Sequence, residues 1–568
     1  MGRGGAVTSV DPYATRIGLQ VLRRGGNAVD AAVATAAALG VTEPYSAGLG
    51  GGGFFVYYDA RSWRVHTIDG RETAPSAMPR DAFIDPETGE PYLFFPDLVT
   101  SGVSVGVPGT PDTWAEALER HGTWSLRKAL EPAERLAARG FVVDETFRQQ
   151  TLDNAERFRA IRPTHRLFLP GGEAPRVGSV FRNRDLARTY RLLGRRGVEV
   201  LYDGPIARKI MRIVQDPPAT RGTDLPVPPG FMRLRDLSSY DARTPKPTHS
   251  DYRGYDVYGM APPSSGGSTV GETLNLLEQF DLPSMSTADV LHSYLEASAL
   301  AYADRAAYLG DSEFVDVPLI ELLSDRYARE RACPIDPAEA ADKPVAAGEP
   351  DGDYARACVS ASSGGERDRG QEGRSTTHLT VADRWGNVVA YTLTIEQTGG
   401  SAITVPGRGF LLNNELTDFS PVFDPDDPNR IQPGKRPRSS MAPTIVLRHG
   451  EPWLALGSPG GSTIITTVLQ TMVNRIDLGW PLLRSVAAPR GTQPNTSEVL
   501  AERGFIGRYR AVLEGYGHKL APIGEPGTSA AEIGAVTAIE FLPGGELLAV
   551  AEPVRRGGGD AGVVVPRR

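Results

Sequence analysis

The sequence predicts an α+β fold. Apolar residues recur at helical spacing over residues 11–40 and 286–309, whereas the runs at 54–58 and 379–394 are aromatic, β-branched and strand-like. In the first stretch Tyr13, Ile17 and Val21 mark one helix face and Val29, Val33 and Ala37 a second, with Gly25-Gly26-Asn27 between them. A glycine run then leads into a strand, Phe54-Phe55-Val56-Tyr57-Tyr58. Residues 110–240 carry Arg, Leu and Ala at helical spacing, cut by Gly and Pro, and predict a helical region. A strand is expected at 251–260 and a long amphipathic helix at 286–309, through Leu291, Leu295, Leu300 and Tyr302. Residues 335–375 are rich in Pro, Ala, Gly, Ser and charge, and predict a mobile linker. Strands at 379–383 and 388–394, joined by Arg384-Trp385-Gly386-Asn387, form a hairpin signal. Further strands are expected near 444–446 and 453–456, a helix from Ser458 to about Asn474, and a Gly- and Arg-rich surface tail at 555–568.

Composition narrows the function. With 61 basic and 69 acidic residues the net charge is −8, which argues against nucleic acid or an anionic membrane as the main partner. The 40% hydrophobic and 23% charged content excludes wholesale disorder. At ~150 residues per domain the length suggests about four domain-sized units, a size that large single enzymes also reach. No apolar run approaches the ~20 residues that span a bilayer, and Met1 to Val10 has no signal-peptide core, so neither a membrane span nor a leader is expected in this chain. The two cysteines, Cys333 and Cys358, show no zinc-ligand spacing, and a chain of this size does not need a disulfide between them.

Several short motifs carry chemistry. Gly48 to Gly53 contains GxGxxG, but a helix precedes it and a strand follows, so it reads as a tight glycine turn rather than a phosphate cradle. Thr376-Thr377-His378 sits where the linker meets a strand. A Thr there could attack the carbonyl of Ser375 and, once freed as an N-terminus, use its own α-amine (pKa near ~8) as general base; ordinary β propensity explains the same residues. His378 reads as a structural histidine. Thr394 ends the partner strand, where pairing could set it beside Thr376. Glu415 and Asp418, with Glu396 upstream, suit either an ammonium pocket or a solvated turn. Gly460 and Gly461 open a helix, where amide N–H groups can face an anion or simply begin the helix. Arg71 ends a strand and could hold a carboxylate bidentately, or pair with Asp69 or Glu72 on the surface. Ser439 and Ser440 lie in a small-residue loop.

Taken together, and in order, these motifs resemble the γ-glutamyltranspeptidase family of N-terminal nucleophile hydrolases over almost the whole chain. The resemblance rests on Gly25-Gly26-Asn27-Ala28-Val29-Asp30, Gly48 to Gly53, Arg71-Glu72-Thr73-Ala74-Pro75, Gly106-Val107-Pro108-Gly109-Thr110 and Pro262-Pro263-Ser264-Ser265-Gly266-Gly267. It continues through Thr376-Thr377-His378, Leu412-Asn413-Asn414-Glu415, Lys435 to Met441 and Gly457-Ser458-Pro459-Gly460-Gly461.

The resemblance implies a four-layer αββα sandwich of two stacked, mainly antiparallel sheets between helices. It implies cleavage between Ser375 and Thr376 into a large subunit, 1–375, and a small catalytic one, 376–568, forming one intertwined domain and a heterodimer. Thr376 would be the nucleophile and Thr394 the residue that orients it. Arg71, Ser439 and Ser440 would hold the α-carboxylate of a γ-glutamyl group, Glu396, Glu415 and Asp418 would surround its ammonium, and Gly460 and Gly461 would form the oxyanion hole. The implied donor is glutathione or a related γ-glutamyl compound, the acceptor water or an amino acid or peptide amine, with no cofactor and no metal. Family members are usually periplasmic or secreted. The short Pro/Asp-rich stretch after Asp418, and Glu396 where other members have Asn, match the lidless bacterial members. Gly399-Gly400 stands where such members often carry an aromatic residue, which implies a wider acceptor-side wall. A glutaryl or cephalosporin-type acylase and a poly-γ-glutamate-processing enzyme are the alternatives within the family; an inactive scaffold is the alternative outside it.

Overall fold

The computed structural model describes residues 1–354, 375–524 and 532–565. Two six-stranded antiparallel sheets stack face to face. The first runs Asp560–Val563, Gly5–Ser9, Thr376–Asp383, Val388–Thr394, Gly52–Asp59, Arg64–Asp69. The second runs Glu546–Ala551, Thr537–Leu542, Glu451–Gly457, Thr444–Arg448, Tyr255–Gly259, Thr248–Tyr252. Each sheet therefore mixes strands from before and after Ser375.

Period-2 alternation explains the stacking. On Gly52–Asp59, Val56 and Tyr58 face the second sheet and pack with Val388, Ala390, Ile445 and Ala455, whereas Phe55 and Tyr57 face outward into the helices. The outer face of the first sheet is covered by Pro12–Arg23 and Ala28–Thr42. The second of these helices is buried along its whole length, as its nearly all-apolar sequence requires, and Asn27 and Asp30 cap it reciprocally. Gly266–Leu277 and Ile464–Ile476 cover the second sheet, and Thr287–Tyr308 packs on Gly266–Leu277. The architecture is αββα.

Three local expectations change. The strand expected at 251–260 is a hairpin, because Arg253 (φ 54°) and Gly254 (φ 75°) turn the chain between Thr248–Tyr252 and Tyr255–Gly259. The expected surface tail folds back: Asp560–Val563 pairs with Gly5–Ser9, and Arg555 is buried against Glu502 and Glu552. Cys333 is disulfide-bonded, and Cys358 lies outside the described residues. The expected linker is described up to Tyr354; residues 355–374 lie outside the described residues.

His378 is structural. Fully buried in the seam between the sheets, its Nδ1 lies 2.8 Å from Thr392 Oγ1 and its Nε2 3.1 Å from Thr380 Oγ1. Burial pushes its pKa from 6.5 down to about 3. The folded protein keeps this ring neutral while the unfolded chain protonates it, so stability is lost as pH falls from 6.5 towards about 3. The expected slope from this residue is about 1.4 kcal/mol per pH unit. Urea unfolding at stepped pH should show His378→Asn with a slope shallower by one proton; an unchanged slope would contradict the assignment.

Candidate active site

Strand register brings two threonines together. Thr376 begins one strand, Thr394 ends its neighbour, and antiparallel pairing sets them opposite. Thr376 Oγ1 donates to Thr394 Oγ1 at 3.3 Å. Thr394 donates to the Ser375 carbonyl at 3.1 Å and accepts the Glu396 N–H at 2.8 Å. A hydroxyl has one proton, so that of Thr394 is committed to the carbonyl of the Ser375–Thr376 peptide bond. Ser375 is itself buried, its Oγ donating to the Tyr45 carbonyl at 3.0 Å and lying 2.9 Å from Ser46 Oγ. The glycine turn makes this possible: a Cβ on Gly51 would lie 2.0 Å from the Thr394 carbonyl oxygen.

A cleft of about 220 Å³ opens beside Thr376 and Thr394. Arg71, Glu396, Glu415, Asp418, Ser439, Ser440 and Gly461 all line it. Gly460 precedes Gly461 with φ 141°, in the turn that enters the Ile464–Ile476 helix. The structure thus gathers the residues singled out from sequence around one threonine, although they span positions 71 to 461.

The charges are tightly organised. Arg71 is fully buried just beyond the Arg64–Asp69 strand, and it donates to both Glu415 and Asp418. It also donates to the carbonyls of Pro437 at 3.1 Å and Arg438 at 2.8 Å. Burial works against its charge, but Glu415, Asp418 and Glu72 outweigh that and hold its pKa above the ordinary value. The surface pair with Asp69 or Glu72 is therefore not what forms. Glu72 is buried behind it, and burial, reinforced by Glu415, pushes its carboxyl well above the usual range. Glu396 sits at φ 78°, in the left-handed region, and its carboxylate accepts from Asn414 Nδ2. Asn429 closes the short stretch after Asp418 by donating to the Asp418 carbonyl at 2.6 Å and accepting from the Arg438 N–H at 2.9 Å.

Four contributors were given no role from the sequence. Arg157, one arginine among many in the helical region, is buried and donates to the carbonyls of Thr398 (2.9 Å) and Gly400. Burial lowers its pKa to about 9, with Glu396 pulling the other way. Arg556 donates to the Thr376 carbonyl at 3.1 Å from 180 residues away. Met441 and Ile464 add apolar lining. A Cβ on Gly399 would meet the Phe158 ring at 2.8 Å, and the residue sits at φ 82°, so this backbone holds glycine there.

Among the described residues, His292, Glu296 and His518 come within 4.8 Å of one another, in metal-ligand fashion. These atoms already have partners: Glu296 accepts from Lys343, and His292 Nδ1 lies 2.9 Å from His518 Nε2. No helix among the described residues is long and apolar enough to cross a membrane.

Comparison with known proteins fits this geometry. The family model for gamma-glutamyltranspeptidase matches residues 14–562. The chain is 40% identical over 560 residues to the glutathione hydrolase proenzyme of Bacillus subtilis (strain 168), covering 98% of this chain and 91% of that protein. It is 38% identical over 567 residues to the glutathione hydrolase proenzyme of Escherichia coli (strain K12), covering 97% and 90%. The crystal structure of cephalosporin acylase from Bacillus halodurans superposes with TM-score 0.84 at 29% identity, covering 100% of this chain and 97% of that one. The chain belongs to the gamma-glutamyltranspeptidase family.

Proposed function

We propose that this protein is a self-processing γ-glutamyltransferase and hydrolase that acts on glutathione and related γ-glutamyl compounds. The observation that carries the reading is the meeting of Thr376 with three carboxylates, Glu396, Glu415 and Asp418, in one small cleft. In the precursor, Thr376 Oγ1 attacks the Ser375 carbonyl carbon. The Thr394 hydroxyl stabilises the developing oxyanion, the C–N bond breaks, and the nitrogen leaves as the Thr376 α-amine. Water hydrolyses the resulting ester, leaving a Ser375 carboxylate and an intertwined heterodimer of 1–375 and 376–568. The freed amine, with a pKa near ~8, then serves as base for the Thr376 hydroxyl.

In turnover Thr376 attacks the γ-amide carbon of the donor. The N–H groups at Gly460 and Gly461 receive the oxyanion, the amine departs, and a γ-glutamyl ester remains. Water gives hydrolysis; an amino acid or peptide amine gives transfer. Ser439, Ser440 and Arg71 hold the α-carboxylate, while the acid side faces the ammonium.

The acids separate this reading from an acylase of the same family. A glutaryl group has the same chain and terminal carboxylate but no ammonium, and bringing it in leaves three carboxylates to share Arg71 without the second cation a γ-glutamyl donor brings. Kinetics with γ-glutamyl and glutaryl anilides test this. The γ-glutamyl compound should be favoured by about 10²-fold or more in kcat/KM, the scale of one buried charged hydrogen bond or two. Equal or reversed preference would make the protein an acylase.

A further inference from the structure

The Pro262-Pro263-Ser264-Ser265 motif and the long Thr287–Tyr308 helix have no part in the steps above, yet both reach the cleft from behind. The Ser265 N–H and Oγ both donate to the Ser439 carbonyl, at 2.7 and 2.8 Å. Arg305, on the buried helix and 1% exposed, donates through Nε to Ser265 Oγ at 2.8 Å and through Nη2 to Ser440 Oγ at 2.9 Å. One turn earlier on the same helix, the Tyr302 hydroxyl donates to the Ser462 carbonyl at 2.5 Å, in the turn that carries Gly461. One rigid helix thus fixes both the serine pair and the glycine turn.

We infer that Arg305 is a positioning residue that makes Ser440 an obligate donor to an anion in the cleft. Guanidinium has no acceptor, so the Arg305–Ser440 bond runs one way. Ser440 Oγ receives that N–H, and its single proton is left to be donated towards the cleft that it lines. The arginine's charge also strengthens that donation by polarising the hydroxyl. Arg71 already donates to Glu415, Asp418 and two carbonyls, so the carboxylate end of the cleft draws on a second cation behind the serines. The inference rests on the γ-glutamyl reading for the identity of the anion, the donor's α-carboxylate.

The test compares γ-glutamyl p-nitroanilide with 4-aminobutyryl p-nitroanilide, which keeps the amine and the scissile amide but lacks the α-carboxylate. Arg305→Gln should lower kcat/KM for the first by about 10- to 100-fold, mainly through KM, and for the second by less than about 3-fold. Arg305→Lys should recover part of the loss. In a Ser440→Ala background, Arg305→Gln should cost less than about 3-fold, because the residue acts through that hydroxyl. Equal losses on both substrates, or a full additional loss on Ser440→Ala, would overturn the inference and make Arg305 merely structural. If Arg305→Gln does not fold, the substrate split in Arg305→Lys decides alone: a split supports the inference and an equal loss overturns it. A wild-type enzyme that turns over neither anilide would instead sink the γ-glutamyl reading itself.

Discussion

Thr376→Ala is expected to remain a single uncut chain and to lose activity by roughly 10⁴-fold or more, as removal of a covalent nucleophile does. Both effects have one cause. The same hydroxyl lies 3.3 Å from Thr394 Oγ1 before cleavage, and in the proposed mechanism the same residue supplies base and nucleophile afterwards. Thr376→Ser keeps the hydroxyl and should still cleave. A denaturing gel with γ-glutamyl anilide kinetics on wild type and both variants checks this. Cleaved or active Thr376→Ala would place the nucleophile elsewhere.

Arg71→Met is expected to cost about 3–5 kcal/mol of stability, because it leaves two buried carboxylates without the cation they share. Donor kcat/KM should fall as well, since Glu415 and Asp418 are positioned by that guanidinium. Arg71→Lys keeps the charge but loses the planar fork that reaches both acids at once, and should fall between the two. Urea unfolding gives the stability and initial rates give the kinetics. A variant as stable as wild type would mean that the pairing contributes nothing net.

The strands that carry Thr376 and Thr394 were legible in the sequence because their signals are local. The hairpin at 379–394 has period-2 residues and a Gly-Asn turn, and once it forms, register alone puts Thr394 opposite Thr376. The site residues were legible because they sit in motifs. Arg71 shows the limit of that: its position was foreseen, but its joint donation to Glu415 and Asp418 depends on strands and turns more than 340 residues apart. The Asp560–Val563 strand was missed for a related reason. Its four residues are Asp-Ala-Gly-Val, with no strand pattern of their own, and the Gly5–Ser9 edge recruits them. Arg157 and Arg305 stood unmarked among the many arginines on helices, and only burial against specific carbonyls and hydroxyls distinguishes them.

The proposed mechanism requires the free Thr376 hydroxyl to become γ-glutamylated. Intact-mass spectrometry of the purified protein, mixed with a γ-glutamyl donor and quenched in acid, reads this directly. The expected result is two fragments divided between Ser375 and Thr376, with the 376–568 fragment gaining the mass of one γ-glutamyl group at its N-terminal residue. An uncut chain, or turnover with the group bound on any other residue, would contradict it.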